Sequence, residues 1–373
     1  MIRRNRKGAE GRRAYRSMVL PPFLIYIFVT AFPIALAVIL SLSNYNGGKM
    51  FGGEPWKIVG FEQYGKLFAD PYFWNALRNN IYIVLISVFG QLPLGFLLAY
   101  LIYRKIVKFG GFWQGILYVP AIISVIVIGI MWSIIFSPYG PIADAVNRVY
   151  SSAYSAKVSA LLRSPGGEGV TDELVDGIID ISGSTVGDIF SDPRADLKDF
   201  LQSYEPEDLP MLKEDLVNLF AHKWNADFLS KPGVAMIPIL FVTLWCWTGV
   251  YLIIFHANMQ KIDTQIIDAA RIDGATEMQV MGRIVLPSLS GTLLNAAILC
   301  ISGSLSGFAL ILAMTGGGPA RVTQVLSIYM YDTAFMGAAN YPLANAIAMM
   351  IVLFSLVLIL ITFGVEKAFG GKE

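Results

Sequence analysis

The chain has 373 residues, 55% of them hydrophobic and only 15% charged, with a formal net charge of +1. A soluble globular domain carries roughly 25% charged residues, so this composition excludes an ordinary water-soluble enzyme and points to lipid as the solvent. The near-neutral balance hides a strong asymmetry along the chain, no nucleic-acid partner is expected, and two cysteines with two scattered histidines offer neither a disulfide framework nor a metal site.

In chain order, residues 1–17 form a basic N-terminus, with Arg3, Arg4, Arg6, Lys7, Arg12, Arg13 and Arg16 against a single acid, Glu10. A bilayer core needs about 20 apolar residues in helical form. Six stretches meet that length without one Asp, Glu, Lys or Arg: 18–42, 80–103, 112–136, 235–256, 288–314 and 343–363. The first is too long for a cleaved signal peptide, and no small-residue cleavage site follows it. Prolines such as Pro21, Pro22, Pro120, Pro238 and Pro287 are expected near span ends, where a missing backbone donor is best tolerated. Cys246 and Cys300 fall inside apolar spans and read as small buried residues.

Orientation follows from the basic residues. Arg104, Lys105 and Lys108 lie between spans two and three, and Lys261, Arg271 and Arg283 between spans four and five. With alternating spans these fall on the side of the N-terminus, so both termini, including a short tail at 366–373, are expected in the cytoplasm. The opposite side receives the long connection between spans three and four. Within it, Ser151–Lys231 holds seven Lys/Arg against fifteen Asp/Glu. Thr171-Asp172-Glu173 can cap a helix with Leu174, Val175, Ile178 and Ile179 on one face, and Glu207–Phe220 carries a similar leucine stripe. Residues 150–222 therefore read as an acidic, helical external insertion, too small for more than a thin core of its own.

Between spans four and five, residues 258–287 contain Asp268-Ala269-Ala270-Arg271-Ile272-Asp273-Gly274-Ala275, eight further residues, then Ile284-Val285-Leu286-Pro287. The local chemistry predicts a helix capped by Thr264, with Ile266, Ile267 and Ala270 on one face. Gly274 can take a positive φ and end it. A second helix starting near Thr276 leads to Pro287, which opens span five as a first-turn proline.

This segment resembles the EAA loop of binding-protein-dependent ABC permeases. Asp268 stands where that family usually has a longer Glu. Val59–Tyr64, Asp70–Asn79, Tyr118-Val119-Pro120, Ser124, Trp132 and Thr315-Gly316-Gly317-Gly318-Pro319, followed by Thr323, Tyr329, Tyr331 and Ala334-Phe335, resemble the carbohydrate-uptake class, in its maltose-permease-F-like or glycerol-phosphate-permease-A-like member. The matches cover most of residues 18–365; the insertion departs from the pattern.

The resemblance implies an all-α integral membrane protein with six transmembrane helices in the type I ABC importer permease fold. It also implies a second homologous permease subunit, an ABC ATPase dimer, an extracytoplasmic solute-binding protein, and a place in a prokaryotic plasma (inner) membrane. The loop residues Asp268, Ala269, Ala270, Asp273, Gly274, Ala275, Ile284, Leu286 and Pro287 are then the ATPase-coupling element. The chain is expected to be a transport subunit and not an enzyme. It binds no cofactor itself; ATP and Mg are used by the partner ATPase. Gly316-Gly317-Gly318 is no phosphate cradle, since no Gly-Lys-Ser/Thr follows it.

Polar residues inside apolar spans are the candidates for the substrate path: Trp247, Asn295, Ser302, Ser304, Ser306 and Asn345. The plainer reading is that membrane serines bond their own helix four residues back and small residues aid helix packing. Two other functions are open. An ion-coupled secondary transporter normally keeps ionisable groups in the membrane, and these spans hold none. A non-transporting receptor would use the acidic insertion but leave the 268–287 segment unexplained.

Overall fold

The computed structural model describes residues 17–47, 56–137, 140–143, 145–146 and 228–370. The basic N-terminus and the acidic insertion at 150–222 lie outside the described residues. Among the described residues the architecture is helical, with one isolated bridge between Ser43 and Ile58. In chain order the helices are α1 (Ser17–Ser41), α2 (Glu62–Ala69), α3 (Pro71–Tyr103), α4 (Gly110–Ile122), α5 (Val125–Ile135), α6 (Met236–Met259), α7 (Thr264–Ile272), α8 (Glu277–Ser288), α9 (Ser290–Leu305), α10 (Ala309–Thr315), α11 (Leu326–Phe335) and α12 (Tyr341–Gly370). Four of them, α1, α3, α6 and α12, are individually long and apolar enough to cross a membrane. The bent pairs α4–α5 and α8–α9 bring the number to six if each is one span.

Prolines shape these helices differently from the expectation. Three π-turns, Ile27–Ala31, Ser87–Gln91 and Met281–Val285, each end two residues before a proline: Pro33, Pro93 and Pro287. A proline inside a helix lacks a donor and its ring clashes with the carbonyl four residues back. One widened turn just ahead of it relieves both, so the helix continues. Pro287 therefore does not open a span. It lies inside α8, and the chain bends by 73° only afterwards, at Leu289, before α9 begins. Pro120 also sits inside a helix, α4, which stops two residues later; α4 and α5 meet there at 96°.

The chain divides into two units, residues 1–129 with 239–373, and residues 130–238. In the second unit the described aromatic contacts join Trp132 to Phe136 at 5.4 Å and Phe136 to Phe228 at 6.1 Å between ring centroids.

The larger unit holds the main core. Leu92, Phe96, Ala99 and Tyr100 of α3 pack with Tyr251, Leu252, Phe255 and Met259 of α6 and with Ala296, Ala297 and Cys300 of α9. In a bilayer the gain comes from close fitting rather than from leaving water. Gly249 of α6 shows how close: a Cβ there would lie 2.0 Å from the Leu117 carbonyl of α4. By contrast, the first half of α1 is exposed from Ser17 to Val29, and only its second half, Phe32–Ser41, packs on α12.

Two motifs far apart in sequence meet near the start of α3. Asn79, itself buried, donates through Nδ2 to the carbonyls of Val322 (2.6 Å) and Gln324 (2.8 Å). Asn80 Oδ1 accepts the backbone N–H of Leu326 at 2.8 Å, and Asn75 donates to the Arg321 carbonyl at 2.8 Å. The loop so gripped follows Gly318 and is tied to itself by Thr323, whose hydroxyl donates to the Gly318 carbonyl at 2.6 Å. Tyr329 of α11 donates to Asp70, the residue that caps α3. Buried backbone groups must find partners. Here an irregular loop finds them on asparagines of a helix about 245 positions earlier.

Candidate functional site

The segment from Asp263 to Pro287 forms an elbow of two helices at the end of α3 opposite the asparagine clamp. Asp263, not Thr264, caps α7: its backbone is extended and its Oδ1 accepts the Gln265 N–H at 2.9 Å, while Thr264 is already helical. At the other end Gly274 takes φ +82°. Its N–H donates to the Arg271 carbonyl at 3.0 Å and the Ala275 N–H to the Ala270 carbonyl at 2.9 Å, a complete Schellman closure. Thr276 then caps α8 in a reciprocal box with Gln279. The turn is thus saturated with its own hydrogen bonds, and the two helices hold a set angle.

The elbow has two faces. Ile267, Val280 and Val285 are buried in the main core, with Ile262, Ala275, Met281 and Ile284 packed against them. On the outside, Ile266 is 54%, Met278 71% and Ile272 87% exposed. Ile266 and Ile267 therefore do not share a face, because adjacent helical residues point about 100° apart. One anchors the helix, and the other stands clear as part of an apolar lobe. Of the predicted coupling residues, Ala270, Ala275 and Ile284 are half-buried. Asp268, Ala269, Asp273, Gly274, Leu286 and Pro287 are exposed. Among the described residues neither Asp268 nor Asp273 accepts a hydrogen bond through its side chain.

One central residue was not legible as functional. Glu277, at the first turn of α8, receives donors from three directions. Tyr100 Oη of α3 donates to its Oε2 at 2.8 Å and to its backbone carbonyl at 3.1 Å. Arg104, just past the end of α3, donates from Nε and Nη2 at 3.2 Å to its two carboxylate oxygens. Arg271 of α7 closes the set on Oε1. The hydrogen bonds from Arg104, then Arg271 and Tyr100, hold the Glu277 carboxyl well below its ordinary value, at about 2. In the sequence Arg104 and Arg271 register only as topology signals. The clue to Glu277 is an acid at the first turn of a helix, where the dipole also favours it.

The candidates for the substrate path divide. Ser304 donates to the Cys300 carbonyl at 2.7 Å and Asn345 to the Tyr341 carbonyl at 2.8 Å, so each is spent on its own helix. Asn295, Ser302 and Ser306 line the exposed side of α9, opposite its buried Ala296, Ala297, Cys300 and Ile301. Trp247 of α6 is about one-third exposed. Gln91, in the π-turn of α3, is a buried polar group that sequence reasoning passed over; its Nε2 donates to the Thr243 carbonyl at 2.8 Å. Among the described residues no group of three His, Cys, Asp or Glu is placed to hold a metal ion.

Residues 91–371 match the family model described as binding-protein-dependent transport system inner membrane component. The probable ABC transporter permease protein YurN of Bacillus subtilis (strain 168) is 26% identical over 361 residues, spanning 95% of this chain and 96% of that protein. The lactose transport system permease protein LacF of Rhizobium radiobacter is 23% identical, spanning 91% of this chain and 89% of that one. Among solved structures, a chain of a bacterial alginate ABC transporter, in complex with an alginate pentasaccharide-bound periplasmic protein, superposes with a TM-score of 0.65. It is 18% identical and covers 98% of this chain and 97% of that chain, a likeness of fold. The family match covers the elbow, the core it packs into and the last span, and on it the chain belongs to the binding-protein-dependent inner membrane components, the multi-pass permeases of ABC importers, which are not themselves enzymes.

Proposed function

We propose that this chain is one of two homologous permease subunits of an importer for a sugar or a related polar solute. It works with an ABC ATPase dimer that uses ATP and Mg, and with an extracytoplasmic solute-binding protein. The observation that carries the coupling role is the elbow: a self-closed helix pair rooted in the core through Ile267, Val280 and Val285, presenting Ile266, Ile272 and Met278 outward. A rigid root with an exposed apolar lobe suits an element that seats in another protein and passes its motion inward. The sugar class is supported by relatives named for lactose and for multiple sugars.

In this reading α1, α3, α4–α5, α6, α9 and α12 carry the six spans. The elbow and both termini lie in the cytoplasm and the insertion at 150–222 lies outside. Asp268, Ala269, Ala270, Asp273, Gly274, Ala275, Ile284, Leu286 and Pro287 form the ATPase-coupling element. The exposed side of α9, with Asn295, Ser302 and Ser306, faces the path shared with the second permease. The test is reconstitution of the purified complex in vesicles. Uptake should require ATP and the binding protein, and the ATPase should co-purify. Uptake driven by an ion gradient with no ATPase present would overturn the reading.

A further inference from the structure

The elbow reaches the membrane helices by two routes, and only one is covalent. Through Leu289 it continues into α9. Toward α3 there is no chain connection nearby, only packing against Phe96, Ala99 and Tyr100 and the bonds made by Glu277. Apolar packing alone transmits a push but yields to sliding, because it has no direction. A carboxylate that accepts from Tyr100 and Arg104 of one element and Arg271 of another is directional on both sides. Its position is also well supported. Tyr100 is 3% exposed, the Arg104 side chain 12% and that of Glu277 45%, so the donors of α3 are anchored while Glu277 and Arg271 sit at the rim.

We propose that Glu277 is the positioning residue that gears the elbow to α3: by gripping Tyr100 and Arg104 while holding Arg271, it makes the α7–α8 unit and the end of α3 move together. This rests on the permease reading above. Displacement of the elbow by the ATPase then turns both α9, through the chain, and α3, through the latch. Since α3 carries the π-turn with Gln91 and, about 30 Å from Tyr100 along its axis, the asparagine clamp, the latch is the point at which the clamped helix receives the stroke.

The test uses the whole complex, reconstituted with its ATPase and binding protein, and reads solute transported per ATP hydrolysed at equal amounts of assembled complex. Tyr100→Phe keeps the buried ring and removes one donor. Glu277→Gln removes the charge that Arg104 and Arg271 share. In Glu277→Gln the ratio is expected to fall roughly five- to tenfold, the low end of a coupling between sites, with ATPase binding retained because the exposed lobe is untouched. Tyr100→Phe should fall less, Glu277→Asp should recover part of the loss, and Arg104→Met combined with Glu277→Gln should be no worse than Glu277→Gln alone. Lys66→Gln, outside the elbow and paired only with Glu62 of its own helix, should leave the ratio unchanged. An unaltered ratio in both Glu277→Gln and Tyr100→Phe would overturn the latch while leaving the permease reading intact, as would independent, additive losses from Glu277 and Arg104. Failure of wild type to bind any ATPase would instead sink the reading on which the latch rests.

Discussion

The two ends of α3 are tied down by opposite chemistries. At the clamp end, buried neutral amides of Asn79 and Asn80 satisfy backbone groups of the loop leading into α11. At the elbow end, a half-exposed carboxylate gathers two guanidinium groups and a phenol. A buried amide on a backbone group has no solvent substitute, so loosening it leaves an orphaned donor or acceptor. A charged cluster at a rim can exchange its partners for water and ions. The difference teaches that one helix can be pinned at one end and released at the other, which is what a moving part needs.

The largest effect should come from breaking the pinned end. Asn80→Ala strips the buried Leu326 N–H of its acceptor and should cost on the order of 2 kcal/mol, seen as a lowered thermal unfolding midpoint in detergent that added salt does not change. If salt moves the variant and wild type apart, the pinned end is not a neutral clamp.

Next is the turn that gives the elbow its angle. A Cβ on Gly274 would meet nothing within 4 Å, so a substitution there is opposed only by φ +82°. Gly274→Val should cost at least 1–2 kcal/mol locally, and Gly274→Asn much less, since Asn tolerates this conformation. ATPase stimulation should follow the order Gly, Asn, Val. Equal stimulation in all three would remove the turn from the coupling path.

A smaller effect distinguishes the two ends by pH. Glu277 has a pKa lowered to about 2 in the folded chain, from an ordinary value of 4.5. Its contribution is therefore complete above about 4.5 and is lost only as pH falls toward 2. Arg104, Arg271 and Tyr100 surround it, so binding of the ATPase should not titrate through Glu277 between pH 8 and pH 5. A wild-type midpoint in that window that disappears in Glu277→Gln would contradict the bonding described. Raising ionic strength should weaken the elbow end modestly and the clamp end not at all.

The smallest change is expected at Asp268. It is exposed and unbonded among the described residues, so Asp268→Glu should shift ATPase affinity by less than about 1 kcal/mol, measured by titrating the ATPase against the membrane complex. A larger change would mean that the missing methylene had cost a direct contact.

Much of the elbow was legible because its signals are local. Asp-Gly-Ala after a short amphipathic stretch forecasts a helix stop, and Thr276 forecasts a restart; both are properties of a few consecutive residues. The cap was misplaced by one position because Asp263 and Thr264 are both good caps, and only the extended backbone of Asp263 decides between them. The face of Ile266 and Ile267 was misjudged because an apolar pair on a short helix does not reveal which member meets the core.

By itself, then, the sequence determined the solvent, the number of apolar stretches long enough to span it, and the helix–Gly–helix at 263–288, since each depends on composition or on neighbours within a turn or two. Only the tertiary structure decided that Glu277 joins three elements, that Asn79 and Asn80 hold a loop some 245 positions away, and that α8 runs through Pro287 to bend at Leu289. Those facts rest on which side chain finds which partner across the fold. A polar residue in a chain carries its capacity for hydrogen bonds openly, but the identity of the partner is set by packing, where every buried donor must be matched at once.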